Sequence, residues 1–327
     1  MTDIDPASVP SLVADRGDVN HTSLCHQLEE AARGEERPES GLLTERVGRP
    51  LAEFATEEEL GEEPRSPRPL GEASDRNYRG AWFGSYGTIV SGILAPGLGE
   101  QFKADTMVAE LVIAEDDRVQ IRRTRETPYR WTCRLDILAA NGTRWNATGW
   151  LAAPGLVITA GHCVYLHNQG GWAAAVRVEP ARNGANVPYA WNAAGLFSVS
   201  GWVQEKRPAC DYGAIVLHTQ DDIGHFGYAV LPDVELRREL VNLVGYPLDK
   251  PPGTLWGHAR RLSDATGLEL IYQNDTVGGM SGAPVIRWDG NDFQVLGIHN
   301  YGDLAGNRAT RISPEVFGNI TTWASYA

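Results

Sequence analysis

The sequence predicts an all-β domain, a sandwich or barrel, from about Leu111 to the C-terminus, preceded by a largely disordered acidic segment. Three observations predict it. Short apolar runs recur between clusters of Gly, Pro, Asn and Asp. Long helical periodicity occurs only near the C-terminus. Charge and aromatics are unequally divided. The 327-residue chain has net charge −13, of which residues 1–110 hold 21 acids against 10 bases, and residues 111–327 hold 21 acids against 19 bases. Nine of the ten Trp lie in the second part.

Residues 1 to about 76 are rich in Glu, Pro, Arg and Gly and poor in aromatics. Such a stretch cannot bury enough apolar area to offset chain entropy. A short helix is expected over Leu24 to Arg33. From Asn77 to Gly99 aromatics, β-branched residues and Gly mix, which predicts a strand or hairpin. Beyond Leu111 the strand-sized runs are TCRLDILA, TGWLAA, GLVITAG, AAVRVEP, YGAIVLH, VNLVGYP, LELIYQ, APVIRW and FQVLGIH. A helix is expected from Ser313–Pro314 to about Ser325, with Pro314 in the first turn after a Ser cap. Many short strands with turn signals favour a sandwich or barrel over a βαβ sheet.

Composition excludes several functions. Neither part has the Lys/Arg excess that phosphate neutralisation needs, so no nucleic-acid partner is expected. The uncharged run Ala81 to Gly99 holds five Gly, a Pro and two Ser, so it is not a membrane span. The first 25 residues show neither a basic start nor an apolar block, so no signal peptide is visible and location stays open. Four Cys are too few for a disulfide scaffold.

Three motifs carry chemistry. Thr159-Ala160-Gly161-His162-Cys163 follows an apolar run, Asp211-Tyr212-Gly213 leads into another, and Gly278-Gly279-Met280-Ser281-Gly282 precedes a third. Each alone is an ordinary turn. Together they supply a nucleophile, a base and an orienting carboxylate. A Ser hydroxyl needs a base at neutral pH, and an imidazole provides it. A buried carboxylate holds that imidazole in one tautomer. Glycines around Ser281 permit the turn that presents backbone N–H donors to an oxyanion. The order His, Asp, Ser on an all-β pattern differs from the other serine-hydrolase orders, and Ala283 excludes the nucleophile elbow.

These motifs resemble the chymotrypsin-fold serine proteases, and within them the V8-like bacterial glutamyl endopeptidases. The resemblance covers residues 111–327 and includes Pro128-Tyr129-Arg130, Gly149-Trp150-Leu151, Ser200-Gly201-Trp202, Gly245-Tyr246-Pro247, Trp256-Gly257-His258 and Ala309-Thr310-Arg311-Ile312. It implies two six-stranded antiparallel barrels with the site between them. It implies His162 as general base and then acid, Asp211 as its orienter, Ser281 as nucleophile, and the N–H groups of Gly279 and Ser281 as oxyanion hole. It also implies recognition of a substrate Glu by His299 and Thr276. An imidazole and a hydroxyl are chemically suited to a carboxylate, and a protonated imidazole would add charge. Gly302 is expected to leave room for the peptide along the pocket wall.

Two residues depart from the pattern. Met280 stands where pancreatic-type enzymes carry an acid that pairs with the freed N-terminus, so that activation switch is not expected. Asn300 replaces a small hydroxyl residue, so bonding behind Asp211 should differ. Ala147 removes a usual bridge partner of Cys163. Cys163–Cys210, Cys133–Cys163 and three reduced buried thiols remain the alternatives. A metal site at Cys163 and His167 lacks further ligands, and no cofactor is expected. The resemblance further implies that residues 1–110 are a prosegment, with Val112-Ile113-Ala114-Glu115-Asp116-Asp117-Arg118 opening the mature chain and a cut after Glu110 or Leu111. The expected activity is hydrolysis of polypeptides after Glu or Asp by a monomeric serine endopeptidase. A trypsin-fold protease of other specificity and an inactive protease-like binding protein are the alternatives.

Overall fold

The computed structural model describes residues 23–27, 112–113, 116–219, 221–237, 239–303 and 306–327. Strand β1 (Ser23–Gln27) comes from the first third of the chain, and β2 (Val119–Ile121) opens the continuous part. Next come β3 (Thr132–Leu138), β4 (Arg144–Ala153), β5 (Leu156–Thr159), the small hairpin β6 (Tyr165–Leu166) and β7 (Gly171–Trp172), then β8 (Ala175–Pro180), β9 (Trp191–Val199) and β10 (Gly213–Leu217). Strands β9, β10, β5, β4, β3 and β8 pair in that order, and β8 returns to β9, which closes a six-stranded barrel. The pairs are antiparallel.

Strand β11 (Gly227–Tyr228) leads to β12 (Leu240–Gly245), β13 (Leu255–Ala265), β14 (Glu269–Tyr272), β15 (Pro284–Trp288), β16 (Phe293–Asp303) and β17 (Gly306–Arg311). Their order β16-β15-β12-β13-β14-β17, with β17 returning to β16, closes a second six-stranded barrel. The fold is thus the double barrel that the resemblance implied.

Sequence pattern explains much of this. In β3 the buried and partly exposed residues alternate, as a wall with one inward face requires. LVIT of β5 and GAIVL of β10 are buried throughout, because their outer faces are also covered. The C-terminal helix (Pro314–Trp323) supplies part of that cover, with Trp323 beside the rings of Phe197 and Tyr212. Ser313 caps it, its Oγ accepting from Val316 N at 3.3 Å, and Pro314 holds the first position as expected.

Two findings correct or extend the sequence reading. Leu24 to Gln27 are strand, not the start of a helix; they pair antiparallel with β9, Leu24 opposite Ser198 and Gln27 opposite Gly195. An open edge of β9 offers backbone partners that outweigh a weak helical preference. Second, Cys133, Cys163 and Cys210 are all reduced and buried, which selects the third cysteine alternative. The hairpin expected over residues 77–99 and the cut near residue 110 lie outside the described residues. Among the described residues no helix is long and apolar enough to cross a membrane.

Candidate active site

The site lies where the barrels meet, and each side chain arrives on a short turn. His162 sits in the 3-10 turn Gly161–Cys163 just past β5. A Cβ at Gly161 would lie 2.8 Å from the Trp202 ring and 2.9 Å from Asp211 Oδ1, so glycine lets this turn press against the carboxylate. Asp211 ends the 3-10 turn Pro208–Cys210 and starts the approach to β10. It is 1% exposed. Its Oδ1 accepts the His162 backbone N–H at 2.8 Å, and its Oδ2 lies 2.7 Å from His162 Nδ1. With Nδ1–H donating there, Nε2 presents a lone pair, and this buried atom has no hydrogen-bond partner. Burial disfavours the imidazolium, but the Asp211 charge outweighs it, and the pKa of His162 stands well above the ordinary value.

Ser281 lies in the turn between Gly279, with φ +99°, and Gly282, with φ +85°. The turn is pinned to the first barrel. Thr148 N donates to Ser281 O at 2.9 Å, and Thr148 Oγ1 donates to Gly279 O at 2.8 Å. A Cβ at Gly282 would lie 2.1 Å from Thr159 Oγ1, so only glycine allows this approach. His162 follows Thr159 by three residues, so the same contact brings the serine turn beside the histidine turn. The Gly279 carbonyl, held by Thr148, fixes the 279–280 peptide plane, which lies between the planes that carry the two candidate oxyanion donors, Gly279 N–H and Ser281 N–H.

The candidate specificity residues all lie in the second-barrel half of the chain. Thr276 is fully buried, and its Oγ1 has no hydrogen-bond partner. His299 on β16 is fully buried, with Nδ1 at 2.6 Å from Tyr272 Oη and 3.1 Å from the Arg308 carbonyl. Burial pushes its pKa down to about 3, against the pull of the Arg308 carbonyl. The imidazole is therefore neutral at ordinary pH. Gly302 is near the end of β16, opposite Asn307. Tyr272 is a site residue that sequence reasoning missed. It ends a strand whose apolar pattern explains it fully, and its hydroxyl partner is 27 residues away.

Both departures have structural consequences. Asn300 Nδ2 donates to the Asp211 backbone carbonyl at 2.7 Å and to Thr310 Oγ1 at 2.8 Å, so it steadies Asp211 through the main chain. Met280 is fully buried in the core of the second barrel. One group could suggest a metal: Asp117, His258 and Asp275 bring their ligand atoms within 4.8 Å of one another. Each of the three already has partners within the protein. Asp275 accepts two backbone N–H groups, His258 Nδ1 accepts from Asp275 N at 2.9 Å, and Asp117 pairs with Arg260. Held by backbone N–H groups and Arg260 in this way, the three form a hydrogen-bonded cluster rather than an open donor set for a metal ion.

Comparison with known proteins agrees with this architecture. The family described as trypsin-like peptidase domain matches residues 147–298. The chain is 36% identical over 227 residues to the glutamyl endopeptidase of Bacillus licheniformis, covering 66% of this chain and 70% of that protein. It is 35% identical over 225 residues to a Bacillus subtilis protein named extracellular metalloprotease, covering 67% and 72%. A solved Glu endopeptidase structure superposes with TM-score 0.59 at 24% identity, covering 66% of this chain and all of that one. The Arthrobacter nicotinovorans protease Anisep superposes with TM-score 0.53 at 18% identity, over 62% and 98%. Double barrel, interbarrel site and relatives lead to one conclusion: the chain belongs to the chymotrypsin-fold, V8-like family of serine endopeptidases.

Proposed function

We propose that the protein cleaves polypeptides after Glu by an acyl-enzyme mechanism in which Ser281, His162 and Asp211 act as the triad. The single observation that carries the specificity is the pair of fully buried, carboxylate-suited groups, Thr276 and His299, in the second barrel. Leaving a buried hydroxyl unsatisfied costs about 1–3 kcal/mol, which a substrate carboxylate recovers by accepting from it.

In acylation, Ser281 Oγ attacks the scissile carbonyl while His162 Nε2 takes its proton. Asp211 holds the ring and stabilises the imidazolium, and the N–H groups of Gly279 and Ser281 receive the oxyanion. His162 then protonates the leaving amine, and water attacks the acyl-enzyme by the same route in reverse. In the pocket the substrate carboxylate raises the affinity of His299 for a proton. One ring nitrogen then donates to the Arg308 carbonyl, and the other to the carboxylate.

A peptide panel with Glu, Asp, Lys, Phe or Ala before the scissile bond tests the reading. Glu should lead, His299→Ala should lose Glu cleavage selectively, and Ser281→Ala should abolish fluorophosphonate labelling. Equal rates for Glu and Phe would leave a trypsin-fold protease of other specificity. Absence of labelling in the unmodified protein would leave a binding protein. Residues 1–110 are assigned as a prosegment on the same family resemblance. Active enzyme whose N-terminal sequence begins at Met1 would overturn that assignment.

A further inference from the structure

We propose that Asp275 is a positioning residue that clasps the segment entering the protease fold and thereby keeps its own charge out of the specificity pocket. Asp275 precedes the pocket residue Thr276 and is 1% exposed. A carboxylate at that place would repel a substrate Glu. Instead both its oxygens are engaged by one short stretch of chain. Ile113 N–H donates to Oδ1 at 2.7 Å, and Asp117 N–H donates to Oδ2 at 2.9 Å. Two oriented amide dipoles offset much of the charge that the pocket would otherwise feel.

The clasp is braced on each side. Behind Asp275, its backbone N–H donates to His258 Nδ1 at 2.9 Å, and Asn274 Nδ2 donates to the His258 carbonyl at 2.7 Å. Past the clasp, β2 pairs with β13, Val119 opposite Gly257, so the entering segment runs beside His258. The side chain of Arg118, fully buried, binds Asp116 at 2.8 Å and Asp249 at 2.5 Å. Lys250 adds a pair to Asp116 at 2.6 Å. Leu248, just before Asp249, donates its N–H to the Gly278 carbonyl at 2.8 Å. The entering segment thus touches both the pocket wall, through Asp275, and the loop behind the serine turn, through Asp249 and Lys250. Without the clasp, Asp275 would be a buried carboxylate lacking two of its donors beside the site that must accept a second carboxylate.

The inference rests on the Glu-specific reading of the pocket, and its test separates the two. Matched peptides with Glu or Gln before the scissile bond are compared on the full chain, processed as it is isolated. Ile113→Pro removes one clasp donor and leaves the acid in place. Glu cleavage should fall at least about 10-fold further than Gln cleavage, mainly through KM, and adding Asp275→Asn should restore the Glu-to-Gln ratio. Parallel losses for the two peptides, or no loss, would overturn the clasp. If Ile113→Pro does not accumulate, Asp275→Asn alone decides. It should hold the wild-type ratio within about 3-fold while residues 113–118 become more open to limited proteolysis. A ratio reduced about 10-fold or an unchanged proteolysis rate overturns the proposal. A wild-type protein that does not prefer Glu overturns the pocket reading together with this inference. Wild-type preference with parallel losses overturns the clasp alone.

Discussion

Each barrel holds one histidine of the proposed site, and the two surroundings act in opposite ways. His162 of the first barrel faces a carboxylate that accepts from both its ring and its backbone, and its pKa is raised. His299 of the second is fully buried beside a phenol and a carbonyl, and burial lowers its pKa to about 3. The first barrel therefore prepares an imidazole to accept a proton. The second keeps one neutral. The first buries Thr132, Thr148, Thr159, Glu179, Ser198 and Asp211, whereas the second buries Asn274, Asp275, Thr276, His299, Asn300 and Asn307. The second set is richer in amide and imidazole groups, which offer both donors and acceptors to a hydrogen-bond network.

The sharpest break in this comparison is Asp211→Asn. It leaves the geometry near His162 but favours the wrong tautomer. It should lower kcat about 10⁴-fold, with little change in KM, in steady-state assays. Next is Met280→Asp, which places an unpaired carboxylate in the second core. It should destabilise on the order of 4 kcal/mol by urea unfolding, since Met280 is fully buried among apolar side chains.

A smaller effect follows from the pH response of His299. It is neutral when folded and has an ordinary pKa of 6.5 when unfolded, so the unfolded chain binds the extra proton. Its contribution to stability is full above 6.5 and is lost as pH falls toward about 3. Denaturation midpoints measured from pH 7.5 to 5 should show this slope, and His299→Gln should reduce it. His162 acts in the opposite sense, its contribution being present at low pH and lost as pH rises through its raised folded pKa. The smallest effect is expected far from the site. Arg144 and Asp136 form an exposed pair at 3.5 Å, and Arg144→Ala should change unfolding free energy by less than about 0.5 kcal/mol.

Legibility in the sequence follows the same division. Strands built on apolar runs, such as β3, β5, β10, β12 and β15, are visible because their burial is written in their own residues. Strand β17, GNRATR, is not visible. Its buried members include Asn307, Thr310 and Arg311, which are satisfied by partners elsewhere. Strand β13, LWGHARRLSDA, hides behind its charges, and β9 is interrupted by Asn192 and Gly195. At the site, the residues assigned to the triad stand out because each needs a glycine or a turn beside it. Tyr272 and Asp275 act through groups 27 and 162 positions away, and no local pattern records that distance.

One strand of the first third has a consequence for how this molecule would be assembled and taken apart. β1 is hydrogen-bonded along β9, and β9 borders the strand that follows Asp211. A peptide bond broken anywhere between residues 27 and 112 leaves that ladder intact. Cutting and departure are then separate events. The immediate product of such a cut would be a nicked, two-chain particle still joined by the β1–β9 ladder. Its lifetime would be governed by an off-rate rather than by the protease that made the cut.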